Sequence, residues 1–151
     1  MNFVHIPKTG GQSIEAALGI PNCHETAAYI AAPRFTFVRH PLDRLVSAWV
    51  YARKKNNLVR SDMNATAMRE LFATKHLVCL PQVFWFDAEI EFVGRFENLA
   101  EDFAKVSDKP LPHLNKGDRG PWQQYYDAET LSIAKDFYRA DFDRFGYSLE
   151  D

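Results

Sequence analysis

The chain has 151 residues, of which 46% are hydrophobic and 14% aromatic, so it can bury roughly two-thirds of its unfolded surface in a core. The net charge of -2 excludes the global positive field of a general nucleic-acid binder. No apolar run approaches the ~18 residues that a membrane helix needs. Two isolated cysteines, Cys23 and Cys79, fit a reducing compartment, although one disulfide between them stays open. We therefore expect one domain over residues 1–151, without a membrane segment and in the cytoplasm.

The first segment predicts a strand, a glycine turn and a helix. Residues 2–6 are apolar and favour a strand, and residues 13–18 have a helical pattern that ends at Gly19. Between them, Lys8-Thr9-Gly10-Gly11-Gln12-Ser13 combines a lysine, two glycines and a helix N-terminus, a combination that favours a phosphate or sulfate. Because the lysine precedes the glycines, the usual triphosphate loop is absent, and a plain strand-to-helix turn stays open as the alternative.

The remaining chain alternates strands with helices. Its patterns predict a short helix over 23–30, strands over 34–38 and 91–95, and helices over 41–55, 65–73, 96–106 and 128–145. Residues 107–121 are rich in proline and glycine and predict a long loop. The alternation is typical of α/β layers around a mainly parallel sheet. Ligands of such sheets bind at the carboxyl ends of the strands, so the turns after the first two strands should converge.

Two motifs carry a resemblance to a known family. The first is the run from His5 to Ser13, and the second spans residues 37–48, where Arg39 is followed eight residues later by Ser47. In this order they resemble the 5′-phosphosulfate loop and the 3′-phosphate motif of the sulfotransferases that use 3′-phosphoadenosine 5′-phosphosulfate, especially the carbohydrate branch. Lys116-Gly117 is similar to a third loop in cytosolic relatives, although Asn115 stands where those relatives have an arginine. The resemblance implies a P-loop-like three-layer fold, with a short, mainly parallel sheet flanked by helices.

The implied activity is transfer of a sulfuryl group from 3′-phosphoadenosine 5′-phosphosulfate to an acceptor hydroxyl, with a glycan as the expected acceptor and 3′-phosphoadenosine 5′-phosphate as the product. Such in-line transfer depends on positioning and charge stabilisation, which the basic residues supply without a metal. No nucleic-acid partner is expected, and the oligomeric state is not readable. The cofactor residues implied by the resemblance are Lys8, Thr9, Gly10, Gly11, Gln12, Ser13, Arg39, Ser47, Lys116 and Gly117.

The acceptor hydroxyl needs a base, for which His24 is the first candidate and Glu25 the second. His24 begins a stretch that resembles a histidine-led segment of bacterial relatives, but it could instead only cap a short helix. His5 fits a hydrogen-bonded structural residue better than a catalyst. The alternative function is a non-catalytic protein that binds phosphoadenosine or another bisphosphate nucleotide. A small nucleotide kinase would need the lysine after the glycines and an acidic magnesium ligand, and neither arrangement is clear.

Overall fold

The computed structural model of the chain describes residues 1–56, 62–114, 117 and 119–150. Within these residues, three strands and six α-helices confirm the predicted α/β class. The strands lie in the order β1-β2-β3, and both neighbouring pairs are parallel. The strands are β1 (Asn2–Val4), β2 (Arg34–Val38) and β3 (Phe92–Arg95), and the helices are α1 (Gly11–Leu18), α2 (Pro41–Tyr51), α3 (Ala65–Ala73), α4 (Leu99–Phe103), α5 (Ala128–Phe137) and α6 (Arg139–Phe145).

The chain divides into two compact units, which we describe one at a time. The sheet unit comprises Met1–Arg39 and Gln82–Lys116, and the helical unit comprises His40–Pro81 and Gly117–Asp151. The single sulfotransferase-like domain expected over residues 1–151 stays a prediction.

The core of the sheet unit is aromatic. Phe3 of β1 and the alternating Phe35 and Phe37 of β2 pack with Ile14 of α1 and Phe103 of α4. The intervening strand residues are buried as well, as in parallel strands that are covered on both faces. Because β1 and β2 are parallel neighbours, the chain leaves both strands at the same edge of the sheet.

The core of the helical unit is built on α2. Leu45 and Trp49 lie on the predicted apolar stripe of this helix, and both are buried with Phe72 of α3 and Phe142 of α6. Arg44 is buried too, and its Nη1 donates to the Leu80 carbonyl at 2.7 Å. Beyond Tyr51 the helix continues in π-helical form over Ala52–Asn56.

Three predicted helices differ from the structure. Residues 23–30 contain only a 3₁₀ turn at Ala27–Tyr29, since Asn22 and the Cys23 backbone bind a side chain of α1 rather than starting a helix. The helix predicted over 96–106 begins as a 3₁₀ turn and becomes α-helical at α4. The last helix breaks between α5 and α6 at Tyr138, whose buried hydroxyl donates to the Cys79 carbonyl at 2.5 Å.

Both cysteines are free thiols: Cys23 is exposed and Cys79 is buried, so the disulfide that the sequence left open is not formed. Burial raises the pKa of the Cys79 thiol. None of the helices in the described ranges combines the length and the apolar composition needed to cross a membrane.

Candidate anion-binding site

The turn between β1 and α1 has an unusual backbone. Lys8 has φ 69° and Gly10 has φ 87°, so both residues adopt the left-handed conformation. For a residue with a side chain this conformation costs about 1–2 kcal/mol. Thr9 holds the turn by donating its hydroxyl proton to the Ile6 carbonyl at 2.8 Å. A strained backbone at the entrance of a helix makes Lys8 a candidate functional residue.

Gly11 begins α1 and packs directly against His5. A Cβ at this position would lie 2.0 Å from Nε2 of His5, so any side chain would displace the histidine ring. Each position requires glycine for a different reason. Gly10 adopts a left-handed backbone, and at Gly11 a side chain would collide with His5.

The groups at the start of α1 suit an anion. The first turn of a helix has N–H groups without carbonyl partners inside the helix, and its dipole favours negative charge. The N–H of Ser13 donates to the Gly10 carbonyl at 3.2 Å, and the backbone of Gly10, Gly11 and Gln12 forms the entrance of the helix just before it. Lys8 adds a full positive charge, and no acidic residue occurs between Ile6 and Ile14. This donor set fits a phosphate or phosphosulfate group.

Ser13 also has a second contact. Its buried hydroxyl accepts a hydrogen bond from the N–H of Leu114 at 3.2 Å, which connects the 107–114 loop to α1. The hydroxyl proton can still be donated, because this contact uses Ser13 only as an acceptor.

Arg39 follows β2 at the same sheet edge and contacts the β1–α1 turn. Its Nη1 donates to the Lys8 carbonyl at 3.2 Å, and its guanidinium lies 3.9 Å from the centroid of the Phe96 ring. The buried Gln82 amide binds both backbone groups of Arg39. The Arg39 N–H donates to Oε1 of Gln82 at 2.9 Å, and Nε2 of Gln82 donates to the Arg39 carbonyl at 2.8 Å. A hydrogen bond thus connects Arg39 with Lys8, two basic residues that follow neighbouring strands of the sheet unit.

His24 lies next to this turn, half-buried, in the loop after α1. Its Nδ1 lies 3.1 Å from the His5 carbonyl, and the two imidazole rings are 4.2 Å apart between centroids. The indole N–H of Trp85 donates to the His24 carbonyl at 3.0 Å. Glu25, the other candidate base, is exposed.

His5 has the structural role that the sequence favours. Its Nδ1 lies 2.6 Å from Oε1 of the buried Glu15. Burial lowers the pKa of His5 to about 4, with the nearby His24 adding to the shift and Glu15 opposing it. His5 is therefore neutral near pH 7 and donates its Nδ1 proton to Glu15.

The other predicted cofactor residues belong to the helical unit or lie outside the described residues. Ser47 is half-buried on α2, and Gly117 is exposed in the loop before Trp122. This loop is connected to α2 by the ion pair of Arg119 with Asp43, at 2.5 Å. Lys116 lies outside the described residues.

Two residues of this region were not found from the sequence. Glu15 lies between Ile14 and Leu18 on the inward side of α1, and a charged residue at such a position could have been noticed. Gln82 lies in an irregular stretch without periodicity, where no sequence signal marks it.

Comparison with known proteins supports a chemical class for this site. Residues 20–71 match the model of the sulfotransferase family, which supports the superfamily that the sequence resembles. The matched stretch is less than half of the chain; it includes β2, Arg39 and Ser47, and it begins after the Lys8–Ser13 turn. No curated protein and no solved structure matches the chain. The match supports a transferase whose general chemistry is sulfuryl transfer.

Proposed function

We propose that this protein transfers a sulfuryl group from 3′-phosphoadenosine 5′-phosphosulfate to a hydroxyl of an acceptor, by in-line transfer and without a metal. The proposal is supported by the hydrogen bond from Arg39 to the Lys8 carbonyl at 3.2 Å. This bond connects the two turns that resemble the phosphosulfate-binding and 3′-phosphate-binding segments of the sulfotransferases. A donor with two separated anionic groups would suit two basic residues at one sheet edge.

The roles of the residues follow from their chemistry. Bound 3′-phosphoadenosine 5′-phosphosulfate would supply the sulfuryl group and a phosphate as the leaving group. Lys8 and the backbone N–H groups at the start of α1 would stabilise negative charge on that phosphate. Arg39 would bind the 3′-phosphate with two parallel N–H groups of its guanidinium. Ser47 is assigned to the same phosphate by the sequence motif alone. His24 would accept the proton of the acceptor hydroxyl.

The finer parts of the proposal depend on the resemblance. Carbohydrate sulfotransferases are the branch that the motifs resemble most, so we propose a glycan as the acceptor. A P-loop-like three-layer arrangement and a cytoplasmic location belong to the same proposal. Acceptor loops differ most between enzymes of one fold, which is why the acceptor needs its own test.

Calorimetric titration tests the proposed donor site. We expect the protein to bind 3′-phosphoadenosine 5′-phosphate at least tenfold more tightly than adenosine 5′-phosphate, which lacks the 3′-phosphate. Arg39→Met should bring this preference close to unity, since a charged hydrogen bond contributes about 1.5–3 kcal/mol, which is about tenfold or more in affinity. Both ligands are measured with the same variant, so any effect of the substitution on the Lys8 turn acts on both affinities and cancels in their ratio. Equal affinity of the natural protein for both ligands would refute a 3′-phosphate site.

A further inference from the structure

Glu15 is a buried carboxylate that binds three donors from two segments of the sheet unit. Its Oε1 lies 2.6 Å from Nδ1 of His5 and 3.3 Å from the N–H of Cys23, and its Oε2 accepts from Nδ2 of Asn22 at 3.0 Å. Burial of a carboxylate is costly unless such hydrogen bonds offset it. Glu15 therefore fixes the end of β1 and the two residues that precede His24.

The contact between His24 and His5 determines which nitrogen of His24 holds the proton. A backbone carbonyl can only accept, so the His24 Nδ1 at 3.1 Å from the His5 carbonyl must be the protonated nitrogen. In the neutral imidazole the lone pair then belongs to Nε2. Nε2 is the atom that can take a proton from a substrate.

We propose that Glu15 is a positioning residue for sulfuryl transfer: by holding His5 and residues 22–23, it keeps His24 in the tautomer whose Nε2 accepts the acceptor proton. This inference depends on the proposed function. In the step, the acceptor oxygen bonds to sulfur as its proton moves to Nε2 of His24, and the bond from sulfur to the bridging phosphate oxygen breaks. The electron pair of that bond leaves with the 5′-phosphate.

Several titratable groups of the sheet unit lie around His5 and the loop that contains His24. They are His5 after β1, Glu15 on α1, Lys8 in the β1–α1 turn, Cys23 and Glu25 beside His24 in its own loop, and Asp87, which binds Thr26 and Ala28. Of these, Glu15 is the buried negative charge connected to His24 through His5.

Nuclear magnetic resonance of the ¹⁵N-labelled full chain tests the positioning without any turnover. We expect His24 of the natural protein to be the Nδ1–H tautomer, and folded Glu15→Gln to contain a mixture of the two tautomers. Asn22→Ala removes only one exposed partner of Glu15 and should cause a smaller change of the same kind. An Nε2–H tautomer in the natural protein, or an unchanged tautomer in folded Glu15→Gln, would overturn the proposal.

Kinetics test the consequence for the reaction. Glu15→Gln should lower kcat about tenfold to a hundredfold, while the Kd for 3′-phosphoadenosine 5′-phosphate stays within about twofold. Glu101→Gln, the same change on the exposed surface of α4, is the matched control and should leave both quantities unchanged.

The outcomes separate the two proposals. A merely structural Glu15 would weaken cofactor binding and lower stability without changing the His24 tautomer, and that result would overturn its positioning role. If the natural protein transfers to no acceptor, the proposed function fails, while the tautomer measurement still decides whether Glu15 positions His24.

Discussion

Lys8→Met is expected to lower kcat/KM for sulfuryl transfer by about 10²–10³, the effect of removing one charged donor from a developing oxyanion. Methionine keeps the length and the apolar stem of the side chain but has no charge. The β1–α1 turn should survive, because Thr9 still bonds to the Ile6 carbonyl and Gly10 keeps its left-handed backbone. Initial rates at saturating acceptor measure the loss, and urea unfolding verifies that the fold is retained.

Lys75 provides a matched control for this substitution. It is the other non-glycine residue with positive φ in the described ranges, at 53°, and it is exposed at the end of α3. Lys75→Met makes the same chemical change on a similar backbone and should leave kcat/KM unchanged. Wild-type activity in Lys8→Met would remove Lys8 from the mechanism and, with it, the functional reason for its strained backbone.

His24→Asn is the second substitution with a large expected effect. The asparagine Nδ2 can take over the donor contact to the His5 carbonyl, but nothing replaces the basic Nε2. We expect kcat to fall about 10²–10⁴-fold, the usual contribution of a general base, with little change in cofactor affinity.

Glu25 is the rival base and is tested by Glu25→Gln. Among the residues that the structure describes, none holds the exposed Glu25 side chain as the His5 carbonyl holds His24, so we expect this variant to keep most of its activity. A large loss of kcat in Glu25→Gln together with full activity in His24→Asn would assign the base to Glu25 instead.

The sequence predicted those parts of the fold whose patterns are local. β2 and α3 have the predicted bounds, because one has alternating β-branched and aromatic residues and the other an uninterrupted apolar stripe. The break at Tyr138 was not predicted: the Tyr138 hydroxyl makes a long-range hydrogen bond to the Cys79 carbonyl, and local patterns do not show such contacts. The helix predicted over residues 23–30 was wrong for a similar reason. Asn22 and Cys23 bind Glu15, and local helix propensity does not show such contacts.

For the candidate site, the sequence predicted residue types at turns, but not their partners. Lys8 and Arg39 were paired from motifs, and the general rule for parallel sheets explains why their turns adjoin. The sequence could not predict that Arg39 binds the Lys8 carbonyl or that Gln82 holds the Arg39 backbone. These contacts depend on tertiary packing, and so does the burial of Glu15 against His5.

The most direct test of the central claim is transfer of ³⁵S from labelled 3′-phosphoadenosine 5′-phosphosulfate to a panel of hydroxyl acceptors that includes glycans. We predict a labelled acceptor and a stoichiometric amount of 3′-phosphoadenosine 5′-phosphate, both lost in Lys8→Met and retained in Lys75→Met. Tight binding of 3′-phosphoadenosine 5′-phosphate without labelling of any acceptor would contradict the enzyme and favour the non-catalytic nucleotide binder.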